Sequence, residues 1–165
     1  MLDIKLNTSH VDTTQPLFAD KQTLQFTISK IEKVEAENDK PAKIKFVLAL
    51  AEPGKDENGN PILPGGMGST ITEFVPLAMK ADAKDAEWHL KKLGSIQDAA
   101  LGTGFNHPTK PARPDFDGEC AAQMLGRTVA LKLRLDQERT DPKTGVTYRK
   151  SNSVGEWIFP GDLKA

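Results

Sequence analysis

From Leu24 the chain alternates: Leu24, Phe26 and Ile28 interleave with Gln25, Thr27 and Ser29, and Ile31 and Val34 continue after a slip of phase. Period-two alternation marks a strand with one buried face, and the slip predicts a bulge near Lys30. Asn38-Asp39-Lys40-Pro41 is a turn signal. Ile44, Phe46, Leu48 and Leu50 then alternate with Lys43, Lys45, Val47 and Ala49, which predicts a second strand and a hairpin with the first. Residues 52–69 hold five glycines and three prolines, so a long exposed loop without regular structure is expected there. Ile71–Leu77 reads as a third strand. Beyond it Ala86, Leu90, Leu93, Gln97 and Ala100 fall on one helical stripe, with Asp82 or Asp85 at the start and Gly102 and Gly104 past the end. The stretch to Pro114 has no period and reads as loop. Asp117 caps a short helix over Glu119–Leu125, closed by Gly126.

The clearest strand follows: Val129, Leu131, Leu133 and Leu135 face one way, and Thr128, Ala130, Lys132 and Arg134 the other. Asp141-Pro142-Lys143-Thr144-Gly145 is a turn leading into a fifth strand at Val146–Lys150, and a last apolar run goes from Val154 to Phe159. The order strand, strand, strand, helix, strand, strand predicts a mainly β, α+β domain with one main helix. A five-stranded OB-like barrel with its helix between strands 3 and 4 fits this order, and so does an α+β sandwich. The expected organisation is an N-terminal arm over 1–22 with few apolar anchors, a single domain over 23–160, and a short tail over 161–165.

Composition narrows the function classes. The 165 residues carry a formal net charge of -1 and 38% hydrophobic residues, enough for one core. No stretch approaches the ~20 apolar residues of a membrane helix, and MLDIKLNTSH lacks the pattern of a secretory signal. A soluble, cytoplasmic chain with no membrane partner is therefore expected. The lone cysteine, Cys120, excludes an internal disulfide and reads as a small buried residue. Pro64-Gly65-Gly66-Met67-Gly68-Ser69-Thr70 lacks the lysine of a phosphate-binding loop. His10, His89 and His107 are scattered, so neither metal nor cofactor is expected. Asp115 together with Asp136-Gln137-Glu138 faintly matches a metal nuclease, but these carboxylates read more simply as turn and cap residues. The expectation is no enzyme.

Charge is segregated more than the total suggests. Residues 127–150 hold Arg127, Lys132, Arg134, Arg139, Lys143, Arg149 and Lys150 against Asp136, Glu138 and Asp141. Lys132 and Arg134 share a strand face about 7 Å apart, close to the phosphate spacing of an extended single strand. Arg139 and Lys143 fall in the connection, and Tyr148, Arg149 and Lys150 on the strand after it. Such a surface neutralises phosphates while aromatics stack bases. Tyr148 and Trp157 are the candidate stackers, and Lys43 and Lys45 would extend the groove across the sheet. Two plainer readings stand beside this one. A solvated sheet face also carries Lys and Arg, and an adaptor domain would meet a protein partner through Trp88 or the 52–69 loop, with no nucleic-acid affinity.

Several short motifs add to this. They are the Lys43–Ala51 strand with its glycine-rich loop, Leu93-Gly94-Ser95-Ile96, Ala100-Leu101-Gly102 and Asp115-Phe116-Asp117-Gly118-Glu119. Leu125-Gly126-Arg127, Leu131-Lys132-Leu133 and Thr144-Gly145-Val146-Thr147-Tyr148 complete the set. Over about residues 16–160 their order resembles a family of small tailed-phage early proteins of OB-like type, found with recombination and replication genes. The resemblance implies sequence-independent binding of single-stranded DNA in the cytoplasm of an infected bacterium. It also implies replication or recombination proteins as partners, and it is compatible with a homo-oligomer. Many such proteins end in an acidic tail; Pro160-Gly161-Asp162-Leu163-Lys164-Ala165 has no acidic run, so recruitment through that segment is not carried over.

Overall fold

The computed structural model describes residues 3–10, 15–38, 41–77 and 83–158. Its strands are β1 (Thr23–Val34), β2 (Lys43–Leu50), β3 (Gly54–Lys55), β4 (Pro61–Ile62), β5 (Thr70–Pro76), β6 (Thr128–Asp136), β7 (Arg139–Thr140), β8 (Thr147–Tyr148) and β9 (Ser151–Ile158). Two helices, α1 (Ala83–Leu101) and α2 (Gly118–Met124), lie between β5 and β6. The five long strands form one antiparallel sheet in the order β5-β2-β1-β6-β9. The register of β1 against β2 slips between Ile28 and Lys30, where the phase of the sequence changes.

Alternation decides which face is buried. Phe26, Ile28, Phe46, Leu48 and Leu131 are completely covered, and α1 closes over them with Leu93, Ile96 and Ala99. Met124 and Cys120 of α2 join the same core. Asp117 caps α2, its Oδ1 accepting from the Cys120 N–H at 2.8 Å. The 103–117 segment is held to α1 by Arg113, whose Nε donates to Asp98 Oδ1 at 2.8 Å, while Thr103 Oγ1 donates to the same oxygen at 2.6 Å. These bonds to Asp98 raise the affinity of the Arg113 guanidinium for its proton.

Four expectations are corrected. The fifth strand of the sheet is Ser151–Ile158, not Val146–Lys150; Thr147 and Tyr148 pair only with Thr140 and Arg139 in a small hairpin. Ser151-Asn152-Ser153 has turn-like composition, yet it ladders with Asp136, Leu135 and Arg134. The 52–69 segment is not structureless: β3 and β4 pair there, and Gly54, Ile62 and Ser69 are buried. The α1 stripe holds at Leu93, Gln97 and Ala100, which are buried, but it is wider than expected, taking in Ile96 and Ala99, and it fails at Leu90, which is 57% exposed. Within the expected arm the segment around Phe18 is anchored. Phe18 is 1% exposed and meets Phe26 edge-on at 5.8 Å, and its backbone exchanges two hydrogen bonds with the Asn152 side chain at 2.8 and 2.9 Å. Phe159 and the expected tail over 161–165 lie outside the described residues.

Docking of that lead-in depends on one glycine. Gly68 has φ +77, and a Cβ there would sit 2.5 Å from the Pro16 carbonyl oxygen. Gly59 in the same segment has φ +81 but open space around it. Gly59→Ala is expected to cost about 1 kcal/mol for the left-handed backbone alone. Gly68→Ala is expected to cost about 2 kcal/mol or more, because backbone must also move. Urea denaturation of the two variants measures the difference, and equal midpoints would show that Pro16 does not pack there.

The sheet is open along one side. β5 and β9 are its edges and share no backbone ladder among the described residues. Glu73 on β5 bridges them. It sits in phase with buried Ile71 and Val75 and is itself 8% exposed. Its Oε1 accepts the Val154 N–H of β9 at 2.8 Å, and its Oε2 accepts the Lys92 ammonium of α1 at 3.1 Å. Lys92 also donates to the Phe74 carbonyl at 2.9 Å. One buried carboxylate thus ties two sheet edges and the helix along this seam.

Candidate nucleic-acid interface

The β6–β9 connection is a projecting hairpin. Asp141 N–H donates to the Val146 carbonyl at 2.9 Å and Gly145 N–H to the Asp141 carbonyl at 2.8 Å, which closes the turn read from the sequence. The Asp141 carboxylate accepts from the Lys143 N–H at 2.8 Å, and the Thr140 and Thr147 hydroxyls meet at 3.0 Å. At the hairpin's base Lys150 pairs with Glu57, joining it to the β3–β4 segment. Asp20 accepts the Leu135 N–H at 3.0 Å from the lead-in side.

This scaffold brings four of the sequence-predicted residues around one concavity of about 550 Å³: Arg134, Arg139, Tyr148 and Arg149. Arg139 and Tyr148 are directly opposed on β7 and β8, and the guanidinium lies 4.9 Å from the ring centroid. Such a contact orients the cation and leaves its N–H groups free to meet an anion. Tyr148 remains 47% exposed. Arg134 is anchored through one nitrogen only: its Nε donates to Asp136 Oδ1 at 2.7 Å and to Ser153 Oγ at 3.2 Å. Both Nη groups are unpaired among the described residues. Asp136 is in turn held by Ser153 Oγ at 2.7 Å, so its charge offsets part of the arginine field without closing the crevice.

The remaining predicted residues are distributed differently. Lys132 is exposed on the same strand face as Arg134, with Glu156 as its ladder neighbour and no ion pair among the described residues. Lys143 is exposed at the hairpin tip, and Lys150 is committed to Glu57. Trp157 opposes Leu131 and is half-buried against the core. Lys43 and Lys45 lie elsewhere. Lys45 aligns with Glu32 and Lys132 with Thr23, which separates them by on the order of 30 Å along β1. Lys43 sits 4.3 Å over the Phe74 ring, and Lys45 pairs with Glu32 at 3.4 Å. The hydrogen bond from Lys30, assisted by Lys45, holds the Glu32 carboxyl below its ordinary range. These two lysines therefore belong to a compensated patch and do not extend the hairpin crevice.

Sequence reasoning missed Glu73 and Lys92, which shape the seam beside Arg134. The signal for Glu73 was an acidic residue in phase with two buried positions, which demands a buried partner. Asp115 and Asp136, the carboxylates of the nuclease reading, line different concavities. Among the described residues no group of three or more His, Cys, Asp or Glu side chains is placed to hold a metal ion. No helix of the described chain is long and apolar enough to cross a membrane. No protein-family model and no curated protein matches this chain.

Proposed function

We propose that this chain is a non-enzymatic, sequence-independent single-stranded-DNA-binding protein that acts in phage replication or recombination. One observation carries the reading: three arginines and a tyrosine converge on a single hairpin crevice. Guanidinium groups supply fixed multi-donor contacts to phosphate oxygens, and an exposed ring supplies a stacking surface indifferent to base identity. The strand order supports an OB-like barrel as the platform. The first three strands form a meander and the fourth pairs with the first. Only the contact between third and fifth strands is left to Glu73 in place of a ladder. The projecting connection between the fourth and fifth strands then lies where an OB-type domain grips oligonucleotides. The motif resemblance to phage early proteins points the same way.

Anisotropy of a labelled thymidine oligomer tests the reading. Binding is expected at low salt, with log affinity falling by about 0.7 per neutralised phosphate for each unit of log salt. Tyr148→Ala is expected to weaken it about tenfold through lost stacking. A flat trace at low salt contradicts the proposal.

A protein-binding adaptor is the second reading. It is favoured by Leu90, 57% exposed, and Phe105, 78% exposed, which line one concavity of about 450 Å³. It predicts no oligonucleotide affinity at any salt.

A further inference from the structure

A second cleft, about 570 Å³, lies over the β5–β9 seam and is lined by Trp88, Lys92, Ser95, Arg134, Ser153 and Trp157, among others. Arg134 lines this cleft and the hairpin crevice alike, so the two are contiguous through its side chain. Their chemistry differs. The crevice is rich in guanidinium. In the cleft the Lys92 ammonium is already neutralised by Glu73, and Glu156 joins Arg134 in the lining. What remains is aromatic surface edged by hydroxyls and a floor without a side chain at Gly155, the extra residue of the β9 bulge. That suits a flat, uncharged, hydrogen-bonding group rather than a phosphate.

Trp88 is the second observation. Leu93, Ile96 and Ala99 carry α1's packing on the sheet, whereas the Trp88 indole is 61% exposed beside the cleft. Lys92, one turn on, lies 5.9 Å from its ring, and His89 meets it edge-on at 5.3 Å, so the indole is held without being buried. A tryptophan kept in place and left open is a stacking platform.

We infer that the seam cleft receives a nucleobase of the bound strand, stacked on Trp88, while Arg134 holds the phosphate between this base and the hairpin crevice. This rests on the single-strand-binding reading and extends it with a second base site on the helix. The strand then leaves the hairpin over the β9 edge towards α1.

The test combines oligomer length with tryptophan emission. A labelled thymidine oligomer of about twelve nucleotides spans both concavities, and one of about four fills the hairpin crevice alone. Trp88→Ala, a change on an exposed helix surface, is expected to weaken the longer oligomer about tenfold and leave the shorter one unchanged. In the unsubstituted protein, unlabelled long oligomer is expected to quench tryptophan emission with the midpoint seen by anisotropy, and Trp88→Ala should reduce that quenching to the share of Trp157, which lines the same cleft. Three results overturn the inference while leaving the single-strand reading intact. They are binding with no quenching, quenching undiminished in Trp88→Ala and so owed wholly to Trp157, or equal loss at both lengths. No anisotropy change at low salt in either protein overturns both.

Discussion

Glu73→Ala is expected to lower stability by about 3 kcal/mol, a large share of a domain's usual 5–15 kcal/mol. The size follows from what the carboxylate holds. It is nearly buried, and one oxygen takes a backbone N–H from β9 while the other takes an ammonium from α1. Removing it leaves the Val154 N–H without an acceptor and Lys92 with only the Phe74 carbonyl. An orphaned buried donor costs about 1–3 kcal/mol, and a stranded cation adds to that. Glu73→Gln keeps an acceptor for Val154 and loses the charge, so about 1–2 kcal/mol is expected. Urea midpoints at constant slope measure both. If the alanine and glutamine variants lose the same small amount, the edges are joined by packing and not by this carboxylate.

Joint replacement of Arg134, Arg139 and Arg149 by alanine is expected to weaken oligonucleotide binding at least about 100-fold at low salt. Three charge-assisted contacts of about 1 kcal/mol or more each are lost together. The salt slope should shrink by about 2, at about 0.7 per phosphate contact. Stability should change little, since Arg134 makes an exposed pair with Asp136 and exposed pairs contribute about 0–1 kcal/mol. Lys43→Ala with Lys45→Ala is the matching control and should leave the affinity and the slope almost unchanged. A triple variant with unaltered slope would move the phosphate contacts to another face.

The strands were legible where burial is one-sided. β2, β5, the first half of β1 and, Ala130 apart, β6 each bury one row more than the other, so composition and period agree, and even the bulge after Ile28 is visible as a phase slip. β9 was harder to see. Its first half is Ser151-Asn152-Ser153, whose side chains serve Arg134, Asp136 and the Phe18 backbone rather than an apolar core. The lead-in shows the limit of local pattern more sharply. A single aromatic, Phe18, anchors it, and nothing within residues 1–22 reveals that Phe26 waits to receive the ring. In α1 the helix and its buried face at Leu93, Gln97 and Ala100 were evident, but not where along the helix the contact begins. Only the part from Leu93 onward lies on the sheet, so Leu90, one turn earlier, falls outside the contact. Of the candidate site, the cationic hairpin could be read from charge and turn chemistry. The separation of Lys43 and Lys45 from it could not, because strand order is set by pairing between distant segments.

The proposed single-strand binding has a definite location, the hairpin crevice between β6 and β9. Amide NMR of the labelled protein titrated with a thymidine oligomer reads that location residue by residue. Shifts concentrated on Arg134–Ser153 and continuing to Trp88 are expected. Shifts confined to β2 and β5 around Lys43, Lys45 and Phe74, with a silent hairpin, would contradict it.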